Sequence, residues 1–303
     1  MYDLIIIGAG PAGVTAAVYA SRKRMNFIVI ADDIGGQMTW SGDIENYTGY
    51  QFVTGVELVS KFEEHIKKYG VLVREFERVV LVEKNSVNDC VTVLLESGEK
   101  LCGRTVLIAS GKRSRMLNIP GEIEFRRKGV TYCATCDGPL YADKDVAVVG
   151  GGNSGLEAVL QLQKIANRVY LLDMNAALTG DAILIEKVQR FENVIIMHNA
   201  RVREIAGSNF VEKITVEHED EIKEINVSGV FVEIGLVPNS EFTKGINKNQ
   251  QNEIMVNNCN QTNVPSIFAA GDVTDVPEKQ IIIAAGEGAK ACLTIFNYLV
   301  RQK

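Results

Sequence analysis

The feature that most constrains this chain is a local pattern that occurs twice. Residues 2–7 form a short apolar run that leads into Gly8, Ala9, Gly10, Pro11, Ala12 and Gly13. An apolar run ended by glycines suits a strand buried on both faces of a parallel sheet. A helical stretch follows from Val14 to about Arg22, and a β-rich run at 27–30 completes a strand–helix–strand unit. The same order returns 142 positions later, with a strand at 145–149, a turn from Gly150 to Gly155, a helix over 156–166 and a strand at 169–172. This is an internal repeat. It predicts an α/β protein with two nucleotide-type units.

Each glycine has its own task in such a turn. The first permits the tight bend, the second lets the backbone approach a pyrophosphate, and the third lets helix and strand pack closely. The anion then meets the free N–H groups and the dipole of the helix N-terminus. In the first turn these residues are Gly8, Gly10 and Gly13, with Pro11 and Ala12 opening the helix. In the second they are Gly150, Gly152 and Gly155, with Asn153 and Ser154 between. An acidic residue about 20 positions on should bind a ribose hydroxyl. Asp32 or Asp33 stands there for the first turn and Asp173 for the second. Two turns imply two dinucleotides, most simply a bound FAD and a visiting nicotinamide. A 2′-phosphate needs a nearby cation, and residues 173–181 contain no Arg or Lys. A carboxylate about 4 Å from a phosphate oxygen costs roughly 4 kcal/mol at an effective dielectric near 20. NADH is therefore expected over NADPH.

Six cysteines stand at 90, 102, 133, 136, 259 and 292. Only Cys133 and Cys136 form a motif, Cys-Ala-Thr-Cys, followed by Asp137. Structural zinc needs four ligands. There is no second pair, and His65, His198 and His218 have no ligand spacing to the first, so no metal is expected. The redox alternative needs one thiolate to attack a partner disulfide and a second thiol to resolve the mixed disulfide. Asp137 could move the proton or cap a turn. The other four cysteines are expected as small buried hydrophobes without a disulfide framework.

The chain has 303 residues, enough for two domains, and a net charge of -6, which argues against nucleic acid as a partner. No apolar run reaches the roughly 18 residues of a membrane span, and the N-terminus lacks a basic signal-peptide region. A cytoplasmic protein without a membrane partner is expected. Residues 71–107 and 194–232 read as mostly β, and 288–301 as a helix. Crossings between domains are expected near 112–117 and 240–250. The basic run Arg126, Arg127, Lys128 either docks an acidic partner or is a solvated loop.

With both turns and Cys-Ala-Thr-Cys-Asp in view, the chain resembles the low-molecular-weight thioredoxin reductases over essentially its whole length. Gly35, Gly36 and Gln37, and Glu45, Asn46 and Tyr47, look like that family's isoalloxazine-side contacts. The segment 262–272, with Gly271 and Asp272, looks like its second FAD motif, and Lys279, Gln280 and Ile281 like the segment under the flavin pyrimidine. The resemblance implies two Rossmann-like dinucleotide-binding domains, the second inserted in the first, as in class II pyridine nucleotide-disulfide oxidoreductases. It implies an FAD-binding domain over 1–115 and 245–303 and an NAD(P)H-binding domain over 116–244 that carries the cysteines. It implies hydride transfer from nicotinamide to flavin and reduction of a Cys133–Cys136 disulfide. Cys136 would be the flavin-proximal thiolate, Cys133 the attacking one and Asp137 the acid/base. A homodimer and a rotation of one domain are implied as well.

One departure bears on the electron donor. NADPH-dependent members carry an arginine cluster where this chain has Asp173-Met-Asn-Ala-Ala. That place, and residues 280–290, look more like the flavoprotein subunit of alkyl hydroperoxide reductase, which uses NADH. The extra N-terminal disulfide region of that subunit has no counterpart before the first glycine turn. A separate thioredoxin- or glutaredoxin-like protein, able to feed a peroxiredoxin, would fill its role. A ferredoxin-dependent flavin thioredoxin reductase would explain the missing arginines but not the intact second turn. A non-catalytic redox-sensing flavoprotein would not need the complete set.

Overall fold

The computed structural model describes residues 1–40, 43–44, 46–84, 90–219 and 221–302, without the side chains of Trp40, Asp43 and Cys136. The chain divides into two compact units. Unit 1 comprises 1–40, 44–113 and 237–303, and unit 2 comprises 114–236 with 41–43.

Along the chain, unit 1 begins with β1 (Tyr2–Ala9), α1 (Pro11–Arg22) and β2 (Phe27–Ile34). The short strands β3 (Asp43–Ile44) and β4 (Val53–Thr54) lead to α2 (Gly55–Lys68). Then come β5 (Val73–Arg74), β6 (Val79–Lys84), β7 (Val91–Leu95), β8 (Lys100–Ile108) and β9 (Lys112–Ser114). Unit 2 carries β10 (Val130–Thr131), α3 (Ala134–Asp137), β11 (Asp145–Val149), α4 (Asn153–Leu162), β12 (Arg168–Leu172) and α5 (Ala182–Val188). It continues with β13 (Val194–Met197), β14 (Ala200–Gly207), β15 (Val211–His218), β16 (Glu221–Asn226) and β17 (Gly229–Val232). The strand β18 (Leu236–Pro238) pairs with β9, and β19 (Ile267–Ala269) and α6 (Ile281–Arg301) close unit 1.

Unit 1 is a seven-stranded sheet in the order β5-β2-β1-β8-β7-β6, with β19 also on β8. β1 lies parallel to both β2 and β8. Its continuous apolar run is explained by burial on two sides. Leu4 and Ile6 pack with the alanines of α1 and with Ala291 and Ile295 of α6. Ile5 and Ile7 pack with Val82, Val93, Leu95 and Ile254. Unit 2 repeats the plan with a parallel sheet in the order β10-β17-β11-β12-β13 and a three-stranded antiparallel sheet β14-β15-β16. Val146 and Val148 of β11 meet Leu156, Val159 and Leu162 of α4. Ala147 and Val149 meet Ile205, Ile214 and Val216 on the other side.

Four expectations change. α6 starts at Ile281 rather than near 288, because Gly286 and Gly288 dilute the apolar periodicity. Gly288 is needed there: a Cβ on it would lie 2.0 Å from the carbonyl oxygen of Ala12 on α1. The return to unit 1 comes at 236/237 rather than 240–250, since Val82 N–H donates to Phe242 O at 2.8 Å and Ser110 Oγ to Asn239 O at 2.6 Å. Cys90 and Cys102 are not independent small hydrophobes but a disulfide, with Cα atoms 6.0 Å apart. Antiparallel pairing of β7 with β8 sets Thr92 opposite Cys102, and this brings together two residues that look scattered in sequence. Cys259, expected to be buried, is instead exposed, because it lies in a turn where its N–H donates to Asn257 Oδ1 at 2.9 Å. Cys292 is buried as expected.

Candidate functional site

The first glycine turn connects β1 to α1. Gly8 has φ of 104°, and a Cβ on it would lie 2.3 Å from Ala109 O on the continuation of β8. A Cβ on Gly13 would lie 1.8 Å from Gly8 O, so this glycine holds helix against strand. Gly10 differs: its Cβ would meet nothing nearer than Gly35 O at 3.9 Å. Space therefore stands open where a ligand would approach. α1 begins on Gly10 with Pro11 in its first turn and has no side-chain cap. α2, by contrast, carries a complete capping box between Thr54 and Glu57. Asp33 Oδ1 accepts from Gly36 N–H at 3.0 Å and so shapes the Gly35–Gly36 bend, while exposed Asp32 lies 3.6 Å from Arg78. Gln37 Nε2 donates to Lys112 O at 2.5 Å.

The residues expected on the flavin side from opposite ends of the chain converge. Asn46 Nδ2 donates to Gln280 Oε1 at 3.1 Å across 234 positions. Glu45 lies outside the described residues. Gln280 is the uncapped N-cap of α6 and Ile281 its first residue. Gly271 lies against Ala12 and Ala284. Beside it the Asp272 carboxyl is raised by burial, which Lys279 and Lys112 oppose. Lys279 donates to Thr274 O at 2.6 Å and lies 3.3 Å from Glu253, which also pairs with Lys112 at 2.5 Å. Burial and the neighbouring Lys112 hold the Lys279 ammonium below its ordinary range.

In unit 2 the second turn reproduces the first. Gly150 has φ of 124°, a Cβ on Gly155 would lie 1.8 Å from Gly150 O, and one on Gly152 would find its nearest neighbour, Thr179 Oγ1, at 3.9 Å. α4 starts on Gly152 without a side-chain cap. Asn153 Oδ1 accepts from Asp181 N–H at 2.7 Å, which ties the turn to the next loop, and Ser154 is exposed. Asp173, directly after β12, is 3 % exposed. Its Oδ1 accepts from Asn175 N–H at 3.1 Å and Asn175 Nδ2 at 3.0 Å, while the buried Oδ2 has no partner. A Cβ on Gly151 would lie 2.0 Å from that Oδ2, so the unpaired oxygen sits against the glycine turn.

The cysteine segment follows β10 in the same unit. Cys133 is disulfide-bonded, and the side chain of Cys136 lies outside the described residues. Thr131 Oγ1 accepts from Cys133 N–H at 3.3 Å and donates to Asp137 Oδ2. Asp137 N–H donates to Cys133 O at 3.1 Å, which closes the turn around the pair. Burial, and then Asp137, push the Tyr141 phenol up to about 12.

Sequence reasoning did not single out four residues that contact these segments. Thr131 anchors Asp137, Glu253 links Lys112 to Lys279, His198 lies opposite Asp173, and Glu233 reaches the cysteine segment. Asp173 N–H donates to Met197 O at 3.0 Å, and its carbonyl accepts from Ala200 N–H at 2.9 Å, so the two contacts bracket His198. One rule would have found Glu233 and His198: ligands gather at the carboxyl ends of parallel strands. Each residue directly follows such a strand.

Both turns fit a dinucleotide. Each offers an uncapped helix N-terminus and an open space at its middle glycine. The second adds a buried acceptor oxygen that a ribose hydroxyl would satisfy. Arg and Lys are absent from 173–181.

The chain is similar to known proteins over nearly its whole length. Residues 2–288 match the pyridine nucleotide-disulphide oxidoreductase profile. The chain is 42% identical over 303 residues to an NADH dehydrogenase of Ferdinandcohnia aciditolerans, covering 99% of this chain and 58% of that protein. It is 43% identical to an alkyl hydroperoxide reductase subunit of Staphylococcus aureus, covering 99% of this chain and 59% of that one. It thus spans about three-fifths of the length of these curated relatives. Thioredoxin reductase from Streptococcus pyogenes superposes with a TM-score of 0.90 at 34% identity, covering 99% of both chains.

Proposed function

This chain belongs to the pyridine nucleotide-disulphide oxidoreductase family, and from that premise we propose that it passes electrons from NADH through FAD to the Cys133–Cys136 disulfide and on to a thioredoxin- or glutaredoxin-like protein. The observation that carries this reading is the pair of uncapped glycine turns, one in each unit, with the cysteine segment in the same unit as the second. The flavin supplies the two-electron relay between a hydride donor and a disulfide.

The residues divide the remaining tasks. Gly8, Gly10, Pro11, Ala12 and Gly13 hold the FAD pyrophosphate at the start of α1, and Asp32 or Asp33 lies toward the ribose. Gly35, Gly36, Gln37, Asn46, Gly271, Asp272, Lys279, Gln280 and Ile281 surround the rest. Gly150, Gly152, Asn153, Ser154 and Gly155 hold the nicotinamide dinucleotide, with Asp173 Oδ2 accepting from the adenosine ribose. A 2′-phosphate at that position would meet a buried carboxylate instead of a cation, which supports NADH. Cys133 attacks the partner disulfide, Cys136 resolves the mixed disulfide, and Asp137, held by Thr131, exchanges the proton. Unit 1 is then the FAD-binding domain and unit 2 the nicotinamide-binding one, in a homodimer.

Anaerobic mixing tests the proposal. The flavin should bleach rapidly with NADH and much more slowly with NADPH. Bleaching by NADPH alone would remove the argument from Asp173. Reduction by ferredoxin but by neither nucleotide would make the second turn a relic and move the chain to the ferredoxin-dependent enzymes.

A further inference from the structure

Glu233 is the first residue after β17. Its N–H donates to Val149 O at 2.9 Å, at the end of β11, so it stands at the carboxyl edge of the parallel sheet. A Cβ on Gly150 would lie 2.4 Å from its carbonyl oxygen, which makes its backbone a wall of the second glycine turn. Its side chain reaches the cysteine segment, where Oε1 accepts from Ala134 N–H at 3.3 Å. That N–H belongs to the peptide joining Cys133 to Ala134. One residue therefore touches both the turn and the attacking cysteine's own peptide.

The surroundings do not favour a charge on this carboxyl. Among the described residues it has no ion pair, and its one hydrogen bond is long. The charged group that acts on it from α4 is Glu157, which is of like sign. On the cysteine segment the nearest acid is Asp137, which accepts from Thr131. Burial pushes the Glu233 carboxyl up to about 7, with the Ala134 N–H opposing and Glu157 adding. A purely structural acceptor for Ala134 N–H would need no titration, and glutamine would serve equally well.

We propose that Glu233 is a positioning residue for Cys133 which sets the charge of that sulfur by sharing a single proton with it in the reduced protein. This rests on the reading of Cys133 and Cys136 as the redox pair. Reduction breaks the Cys133–Cys136 bond with the two electrons that the proposed activity supplies and leaves negative charge on sulfur. A thiolate beside Glu233 keeps the carboxyl protonated, and an ionised carboxylate keeps Cys133 a thiol. The carboxyl thereby sets the pH window in which Cys133 attacks its partner. No bond to Glu233 forms or breaks except that to its proton.

The test is the alkylation rate of Cys133, followed by mass spectrometry in the reduced full-length holoprotein between pH 5.5 and 9, for wild type, Glu233→Gln and Glu233→Ala. Glutamine keeps an acceptor for Ala134 N–H but cannot ionise. Wild type should show a broad, coupled profile. Glu233→Gln should show one steep transition shifted down by about one unit, with Cys133 reacting about tenfold faster near pH 7.5. A Glu233→Gln profile that superposes on wild type overturns the assignment. So does a shift in Glu233→Ala alone, because that would reveal a hydrogen-bond role. If reduction exposes no alkylatable thiol at 133 or 136, the redox-pair reading fails with it. Normal alkylation with an unshifted profile removes only the role of Glu233.

Discussion

Two glycines three positions apart in the second turn should respond oppositely to the same substitution. A Cβ at Gly155 would stand 1.8 Å from Gly150 O, where side-chain carbons do not come within 3.0 Å of other heavy atoms. In Gly155→Ala, α4 must therefore move away from β11 by roughly 1.2 Å, which opens the packed layer that Leu156, Val159 and Leu162 form with Val146 and Val148. Such a shift costs about 3 kcal/mol, and the better helix propensity of alanine returns about 1 kcal/mol of it. The net loss of about 2 kcal/mol should lower the melting temperature of the unit by roughly 6–12 °C. Gly152→Ala meets its nearest neighbour only at 3.9 Å, and its φ of -85° and ψ of -176° suit alanine. Losing the glycine N-cap and gaining a stiffer unfolded chain nearly cancel, so its stability should stay within about 0.5 kcal/mol of wild type. Yet its methyl group stands where a pyrophosphate would approach α4, and binding should fall at least about 30-fold. Thermal unfolding without nucleotide, followed by calorimetric titration with ADP-ribose, separates the two effects. A Gly152→Ala protein that binds ADP-ribose normally would refute the dinucleotide cradle. A Gly155→Ala protein that melts like wild type would refute the packing argument.

Four further outcomes are expected. Asp173→Asn keeps the acceptor for Asn175 but removes the charge; it should weaken NADH binding about tenfold or more and narrow the preference over NADPH, and an unchanged cofactor ratio would count against the ribose assignment. Replacing both Cys133 and Cys136 by serine should abolish disulfide reduction while leaving flavin oxidase turnover, and surviving disulfide reduction would move the redox centre elsewhere. Reducing Cys90–Cys102, which closes a loop of sequence separation 12, should cost about 3 kcal/mol in denaturant unfolding, and Cys90→Ala should lose that part of the response to reductant. Glu233, with its folded pKa raised to about 7 against an unfolded value near 4.3, is protonated in both states at low pH. As pH rises, the unfolded state ionises first, so its contribution is full below about 4.3 and is lost by about 7. Relative to Glu233→Gln, wild-type stability should therefore decline across that window.

What the sequence disclosed was local and periodic. The glycine turns were legible because a buried parallel strand, a tight bend and a helix each leave a mark within 15 residues. The segment from Cys133 to Asp137 was legible as a motif because its residues are adjacent. The contacts that order the site were not, since they join distant segments. Asn46 and Gln280 meet across 234 positions, and Glu233 reaches Ala134 across 99. Nothing in the spacing of Cys90 and Cys102 announced a shared hairpin, because strand register decides which side chains meet. α6 was shortened in the reading by Gly286 and Gly288, of which the second serves close packing on α1 rather than a turn.

On the proposed reading, the carboxyl edge of the sheet in unit 2 would carry a preference between nicotinamide dinucleotides before any ligand arrives. Along β17, β11, β12 and β13 it presents Glu233, the Gly150–Gly155 turn, Asp173 and His198 in that spatial order. Of the three buried side-chain atoms without a partner among the described residues, two lie on this edge, Asp173 Oδ2 and His198 Nδ1. An unpaired buried polar atom costs about 1–3 kcal/mol, and more when it is charged. The fold holds both in place through backbone bonds between the strand ends, which involve neither atom. A hydroxyl that donates to Asp173 Oδ2 recovers that cost on binding, whereas a phosphate oxygen adds repulsion to it. If Asp173 faces the adenosine ribose as proposed, the same uncompensated oxygen would favour the plain ribose over the phosphorylated one, and the discrimination should weaken when Asp173 loses its charge.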